Sequence, residues 1–208
     1  MKTLLQIQAS IFSNGGESSR LATQFVEKWS AANPGAQVIR RDLAAQPVPH
    51  LTAERFQSFL AKPEERTLEQ QAVASFSDGL IDELERADVI VLGLPMYNFG
   101  VPSTLKAYFD HVARAGKTFK YTATGPQGLL KGKKAVVFAT RGGAYVGTPL
   151  DTQTGYVRDF LRFLGIDDVE FVYAEGLAMG DASKSESLAK AGNAVKSLIE
   201  REAVAMAA

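Results

Sequence analysis

The stretch Asp88-Val89-Ile90-Val91-Leu92-Gly93-Leu94 constrains the fold of this chain more than any other. It is almost continuously apolar and rich in β-branched residues. A strand with one face in water alternates polar and apolar side chains, whereas an unbroken apolar run must be covered on both faces. That requirement points to the centre of a parallel sheet with helices on either side. Segments 4–9, 37–42, 135–140 and 169–173 read as further short strands. Between them lie helical patterns. Leu21, Ala22, Phe25, Val26 and Trp29 recur at spacings of three and four, as do Leu105, Tyr108, Phe109 and Val112. Val157, Phe160, Leu161 and Leu164 form another stripe, and Leu188, Ala191, Val195, Leu198 and Ile199 a last one. A helix over 67–87 is expected to bury Leu68, Ala72, Val73, Phe76, Leu80, Ile81 and Leu84, and a shorter helix is expected near 52–60. Five strands alternating with helices imply right-handed crossovers and a doubly wound α/β fold. Residues 117–133 read as an excursion or small hairpin. No repeat or linker divides the 208 residues, so one domain over 1–208 is expected.

Composition narrows the chemistry. Lys+Arg and Asp+Glu are 23 each, and this zero net charge argues against a generally basic nucleic-acid binder. Cysteine is absent, which excludes disulfides, thiolate metal sites, iron–sulfur clusters and a Cys nucleophile. Two histidines, His50 and His111, cannot build a multi-histidine metal site, and no metal site is expected. No G-x-S-x-G elbow accompanies them, and His111 reads as a helix-packing or surface residue. No apolar stretch approaches the length of a membrane span, so the expected setting is the cytoplasm.

Open α/β sheets bind ligands beyond the carboxyl ends of their strands, where the strand order reverses. Three loops meet there if the order is 2-1-3-4-5. The first carries Ser10, Ser13, Asn14, Gly15, Gly16, Glu17 and Ser18 just ahead of a helix. It fits either a polar connector with Ser18 as N-cap or an anion site built on free helix amides. G-x-G-x-x-G and Walker patterns are both missing, which argues against a Rossmann-held dinucleotide and a P-loop NTPase. The second loop reads Pro95-Met96-Tyr97-Asn98-Phe99-Gly100-Val101-Pro102. Its apolar and aromatic residues, held in a Pro-bounded loop, suit a ligand better than a connector. The third, Thr140-Arg141-Gly142-Gly143, lets backbone approach a ligand closely. By residue type alone, Arg141 reads as a solvated loop charge.

The run P-x-Y-N-x-x-x-P-x-x-L-K-x-x-x-D from Pro95 to Asp110 resembles the flavin loop of flavodoxin-like NAD(P)H-dependent reductases. Its Met-Tyr-Asn-Phe form is similar to that of the FMN-dependent NADH-azoreductases. Arg41-Asp42-Leu43-Ala44-Ala45, the segment Ala113 to Tyr121, Thr140-Arg141-Gly142-Gly143 and Ala174-Glu175-Gly176 resemble the same family. The resemblance spans nearly the whole chain. It implies a flavodoxin-like sheet, non-covalent FMN, NAD(P)H as donor, a quinone or azo acceptor, two-electron ping-pong transfer and a homodimer with FMN at the subunit interface. It carries over Ser10, Gly16, Glu17 and Ser18, then Met96, Tyr97, Asn98 and Phe99, then Thr140, Arg141, Gly142 and Gly143 as FMN contacts, with the Arg141 cation expected near the flavin, where it would stabilise the reduced anionic ring. One departure is the carboxylate of Glu17, from which only a backbone contact with a phosphate is expected. Phe119, Tyr121 and Phe163 are candidates for the substrate pocket, with core packing the equal alternative for Phe163. No dedicated catalytic side chain is expected, because a flavin carries its own chemistry. A flavodoxin-type electron carrier stays open, although such carriers are usually shorter and strongly acidic. So does hydrolysis of an acyl carrier protein phosphodiester, for which no nucleophile or metal cluster is present.

Overall fold

A computed structural model describes residues 1–207. Strand β1 (Thr3–Gln8) is followed by α1 (Glu17–Ala32) and β2 (Gln37–Asp42). Helices α2 (Ala53–Leu60) and α3 (Leu68–Arg86) lead to β3 (Val89–Pro95) and α4 (Ser103–Val112). A two-stranded hairpin, β4 (Phe119–Thr122) and β5 (Gly125–Gly128), precedes β6 (Lys134–Thr140). Helix α5 (Thr154–Leu164), β7 (Asp168–Ala174) and α6 (Asp181–Ala207) complete the chain.

The main sheet has five parallel strands in the order β2-β1-β3-β6-β7. With the separate hairpin left out of the count, this is the expected 2-1-3-4-5. Every residue of β3 is buried, as an apolar run at the sheet centre requires. Alternate residues of the sheet feed two cores. Leu4, Val89, Val91, Val136 and Phe138 pack against Leu21, Phe25 and Trp29 of α1 and Val195 and Leu198 of α6. Leu5, Ile7, Ile90, Leu92, Leu94 and Val137 pack on the other face against Leu80 and Leu84 of α3, Leu105 and Phe109 of α4, and Leu161 of α5. Phe109 and Phe160 stack at 3.9 Å, so Phe160 joins its helix to α4.

Helix α3 corrects one expectation. Leu68 is almost fully exposed and Ala72 is exposed, while Phe76 is only half covered. The first half of α3 buries the small residues Ala74 and Ser77 instead. These two meet the end of α4: the Ser77 hydroxyl donates to the His111 carbonyl at 2.6 Å, and Arg114 donates to the Ala74 carbonyl and to Ser77 Oγ. Its start is set by a capping box, in which Thr67 and Gln70 satisfy each other's backbone amides. His111 is buried on α4 with Nδ1 2.9 Å from the Ala107 carbonyl, and the rings of Phe59 and Phe76 meet it edge-on. Burial lowers its pKa from the ordinary value, as suits a neutral packing residue.

Candidate functional site

The carboxyl ends of β1, β3 and β6 open into three loops that enclose a cavity of about 310 Å³. Ser10, Gly16, Glu17, Ser18, Met96, Tyr97, Thr140, Arg141 and Gly142 line it, as do Phe12, Pro95 and Leu177, which sequence reasoning missed. Phe12 carried one signal, an aromatic set in a loop of small polar residues. Asn98, Phe99 and Gly143 do not line it, and Phe99 instead borders a separate cavity with His50, Gly100 and Tyr156.

Gly16, not Ser18, is the N-cap of α1, and no side chain caps the first turn. The first amides of the helix therefore remain available to a ligand. Ser18 and Ser19 are fully buried, and both hydroxyl oxygens lack a hydrogen-bond partner. Buried hydroxyls are seldom left so, and that of Ser18, which lines the cavity, marks a polar site. Gly16 is required by contact rather than by dihedral angle: a Cβ there would sit 2.2 Å from Ser10 Oγ. The Ser10 hydroxyl accepts from the Phe12 amide at 3.2 Å and stands 3.5 Å from the Tyr97 hydroxyl, joining the first two loops. The Glu17 carboxylate is drawn aside by Lys184 at 2.9 Å and Arg20 at 3.5 Å. Its backbone alone is left to face an anion.

The second loop begins where β3 ends. The Met96 amide donates to the Thr140 carbonyl at 2.9 Å, extending the pairing with β6. Tyr97 and Gly100 then exchange two backbone hydrogen bonds around a tight turn. Both central residues have positive φ, 50° at Asn98 and 60° at Phe99. This is the I′ geometry, which asparagine tolerates and phenylalanine does not. Phe99 is about half exposed and meets the Tyr145 ring at 5.4 Å.

Arg141 overturns an expectation. Its side chain is fully buried and its charge is spent inside the protein. It reaches Asp151 at 2.6 Å, Thr154 Oγ1 at 3.0 Å and Glu175 at 3.0 Å, with the Tyr173 ring 5.3 Å away. Burial raises the pKa of Asp151, but hydrogen bonds from Arg141 and Thr154 outweigh it and hold the carboxyl below its ordinary value. Glu175 also accepts from the amides of Tyr145 and Val146. The guanidinium is thus a fastening for the third loop, not a cation aimed at a ligand. The carbonyls of Arg141, Gly142 and Gly143 accept from the amides of Leu177, Ala178 and Gly176, and the Arg141 amide donates to the Ala174 carbonyl, which leaves the Gly142 and Gly143 amides as the loop's uncommitted donors. A Cβ on Gly143 would meet the end of the Tyr145 side chain, which would have to move aside.

Phe119, Tyr121 and Phe163 do not line the cavity within this chain. They form their own cluster, with Phe119 4.3 Å from Phe163 and 5.4 Å from Tyr121. The hairpin rests on the carboxyl end of α5, where Gly128 abuts Gly165, whereas the amino end of α5 lies beside Arg141. Helical spacing reported a buried face but not which end of the sheet it served. Among the described residues no group of three or more His, Asp or Glu could hold a metal ion, and no helix is long and apolar enough to cross a membrane.

Comparison with known proteins agrees with this geometry. A family model described as the flavodoxin-like fold matches residues 1–199. The chain is 56% identical over 190 residues to an FMN-dependent NADH:quinone oxidoreductase of Cellvibrio japonicus (strain Ueda107), covering 91% of this chain and 96% of the relative. It is 54% identical over 188 residues to a protein of the same name from Alcanivorax borkumensis (strain ATCC 700651 / DSM 11573 / NCIMB 13689 / SK2), covering 90% and 95%. Its structure is similar to that of an FMN-dependent NADH-azoreductase from Bacillus anthracis str. Ames Ancestor in complex with FMN. The TM-score is 0.88 at 29% identity, over 98% of this chain and 100% of that one. A site at the switch point of a five-stranded parallel sheet, and matches along almost the full length, place this chain in the flavodoxin-like fold family.

Proposed function

We propose that this chain is an FMN-dependent NAD(P)H oxidoreductase that reduces quinones and azo compounds. The observation that carries the proposal is the capless start of α1, with the buried Ser18 hydroxyl lacking a partner and a glycine at which a Cβ would crowd Ser10. These features fit a phosphate monoester at one end of a flat cofactor. Ser10, Gly16, Ser18 and the backbone of Glu17 would hold the phosphate of FMN. Met96, Tyr97, Asn98 and Phe99 would hold the ring along one side, and Thr140, Gly142, Gly143 and the backbone of Arg141 along the other. When bound, FMN supplies two-electron chemistry, taking a hydride from the nicotinamide and passing electrons to the acceptor. The protein's part is to bind, orient and exclude water. The helix amides balance phosphate charge, the Met96–Phe99 loop offers apolar surface and a polar edge, and the loop after β6 offers amide donors where charge accumulates on reduction.

The reading is completed by a cytoplasmic homodimer of one-domain subunits, with FMN at their interface. Tyr121 is three-quarters exposed on its hairpin, and Phe119 and Phe163 support it from below. A second copy would bring this cluster to the cavity that it cannot reach within its own chain. Donor and acceptor then use the same open ring face in turn. Initial rates at several fixed acceptor concentrations test this: parallel double-reciprocal lines are expected, and intersecting lines would require a ternary complex and exclude it.

A further inference from the structure

Gln153 is completely buried just ahead of α5. Its Nε2 donates to the Pro95 carbonyl at 3.0 Å and to the Gly100 carbonyl at 2.8 Å. Those carbonyls stand at the two ends of the Met96–Phe99 loop. The amide orientation follows from chemistry, since the reverse would set Oε1 against two carbonyl oxygens. Oε1 itself is buried with no partner. A position that only needed filling would take leucine or methionine and avoid an orphaned acceptor. The side chain is therefore present for its two donors.

The neighbours of Gln153 extend the brace. The Thr152 hydroxyl donates to the Phe99 carbonyl. Asp151 is locked to Arg141, the fastening of the loop after β6. Residues 151–153 thus tie the two ring-side loops together, and three carbonyls around the turn (95, 99 and 100) are held by two consecutive side chains. The turn needs holding. Phe99 at φ 60° is a conformation that a phenylalanine keeps only when its surroundings over-determine it.

On the FMN reading above, we propose that Gln153 is a positioning residue: it holds the Tyr97–Gly100 turn in its positive-φ form and so fixes Asn98 and Phe99 for the flavin ring. Glycine takes positive φ without strain, so a turn with glycine at position 99 no longer requires the brace.

The test is a cycle of Gln153→Leu and Phe99→Gly, read by FMN dissociation constant, visible spectrum of the bound flavin and amide hydrogen exchange. Gln153→Leu is expected to raise the dissociation constant about tenfold in the native background and less than about threefold with Phe99→Gly present. It should also change the bound spectrum and speed exchange at the Tyr97 and Gly100 amides. Thr152→Val removes the exposed half of the brace, keeps the fold, and should show a smaller effect with the same dependence on Phe99→Gly. Equal factors in both backgrounds, or native affinity and spectrum in Gln153→Leu, overturn the proposal. If the native protein takes up no flavin, the FMN reading falls. The brace is then judged by amide exchange alone, and unchanged exchange at Tyr97 and Gly100 overturns it.

Discussion

Replacing Arg141 by methionine separates a structural cation from one that serves the cofactor. The native guanidinium is wholly buried and hydrogen-bonded to Asp151, Thr154 and Glu175. Methionine fills similar space but leaves two carboxylates without their partner. Breaking a buried pair in this way costs about 3–5 kcal/mol. At this chain length each kcal/mol lowers Tm by about 2–4 °C, so a fall of about 6–20 °C is expected. The pH dependence carries a sign. The Asp151 pKa is lowered in the folded protein, so the pair contributes stability above the ordinary carboxylate value of 3.8 and loses it as pH falls through the lowered value. In Arg141→Met the Asp151 carboxylate, without its cation, gains from protonation instead. The difference in Tm is therefore widest near neutral pH and narrows on acidification. Thermal unfolding of both apo-proteins across pH is the assay. A loss under about 1 kcal/mol, combined with a large change in flavin reduction potential, would show that the guanidinium faces the ring and would refute this reasoning.

Three other outcomes follow from the same geometry. Gly16→Ala forces a Cβ to within 2.2 Å of Ser10 Oγ at a backbone conformation that alanine otherwise accepts, so FMN affinity measured by fluorescence quenching should fall at least about tenfold. Asn98→Ala should weaken FMN binding by about 1 kcal/mol or somewhat more, through loss of a ring-edge hydrogen bond, and native affinity would misplace Asn98. Tyr121→Ala should alter KM or kcat for the acceptor with the FMN dissociation constant nearly unchanged, since Tyr121 lies outside the cavity of its own chain; a large loss of FMN would contradict this.

The sequence exposes the sheet because its signals are local. An apolar run at 88–94 can only be a central strand, and β3 is buried throughout. Pro102, a residue suited to a helix start, stands just ahead of α4. The three loops were legible because topology alone brings them to one end of the sheet. What stayed hidden depends on distant partners. An arginine beside two glycines reads as a solvated loop charge until folding brings Asp151 and Glu175, 10 and 34 residues away, against it. Gln153 gives no local signal, since its acceptors lie 58 and 53 residues earlier. Leu68 follows a helical period on α3 yet points outward, and Phe76 stays half exposed against His111, because the buried face of that half runs through Ala74 and Ser77, tied to Arg114 and the His111 carbonyl. Phe119 and Phe163 do meet, but at the far end of α5, and periodicity along a helix carries no information about which end is the site.

The central claim is that the cavity between the three loops holds FMN and that NAD(P)H reduces it there. Anaerobic titration of the purified protein with NADH, followed through the visible absorption, tests this most directly. The account predicts a yellow protein whose flavin is released by acid, bleached by about one equivalent of NADH, and restored by one equivalent of a quinone with no NADH remaining. A colourless protein that takes up no added FMN, or bound flavin that NADH fails to bleach, would contradict it.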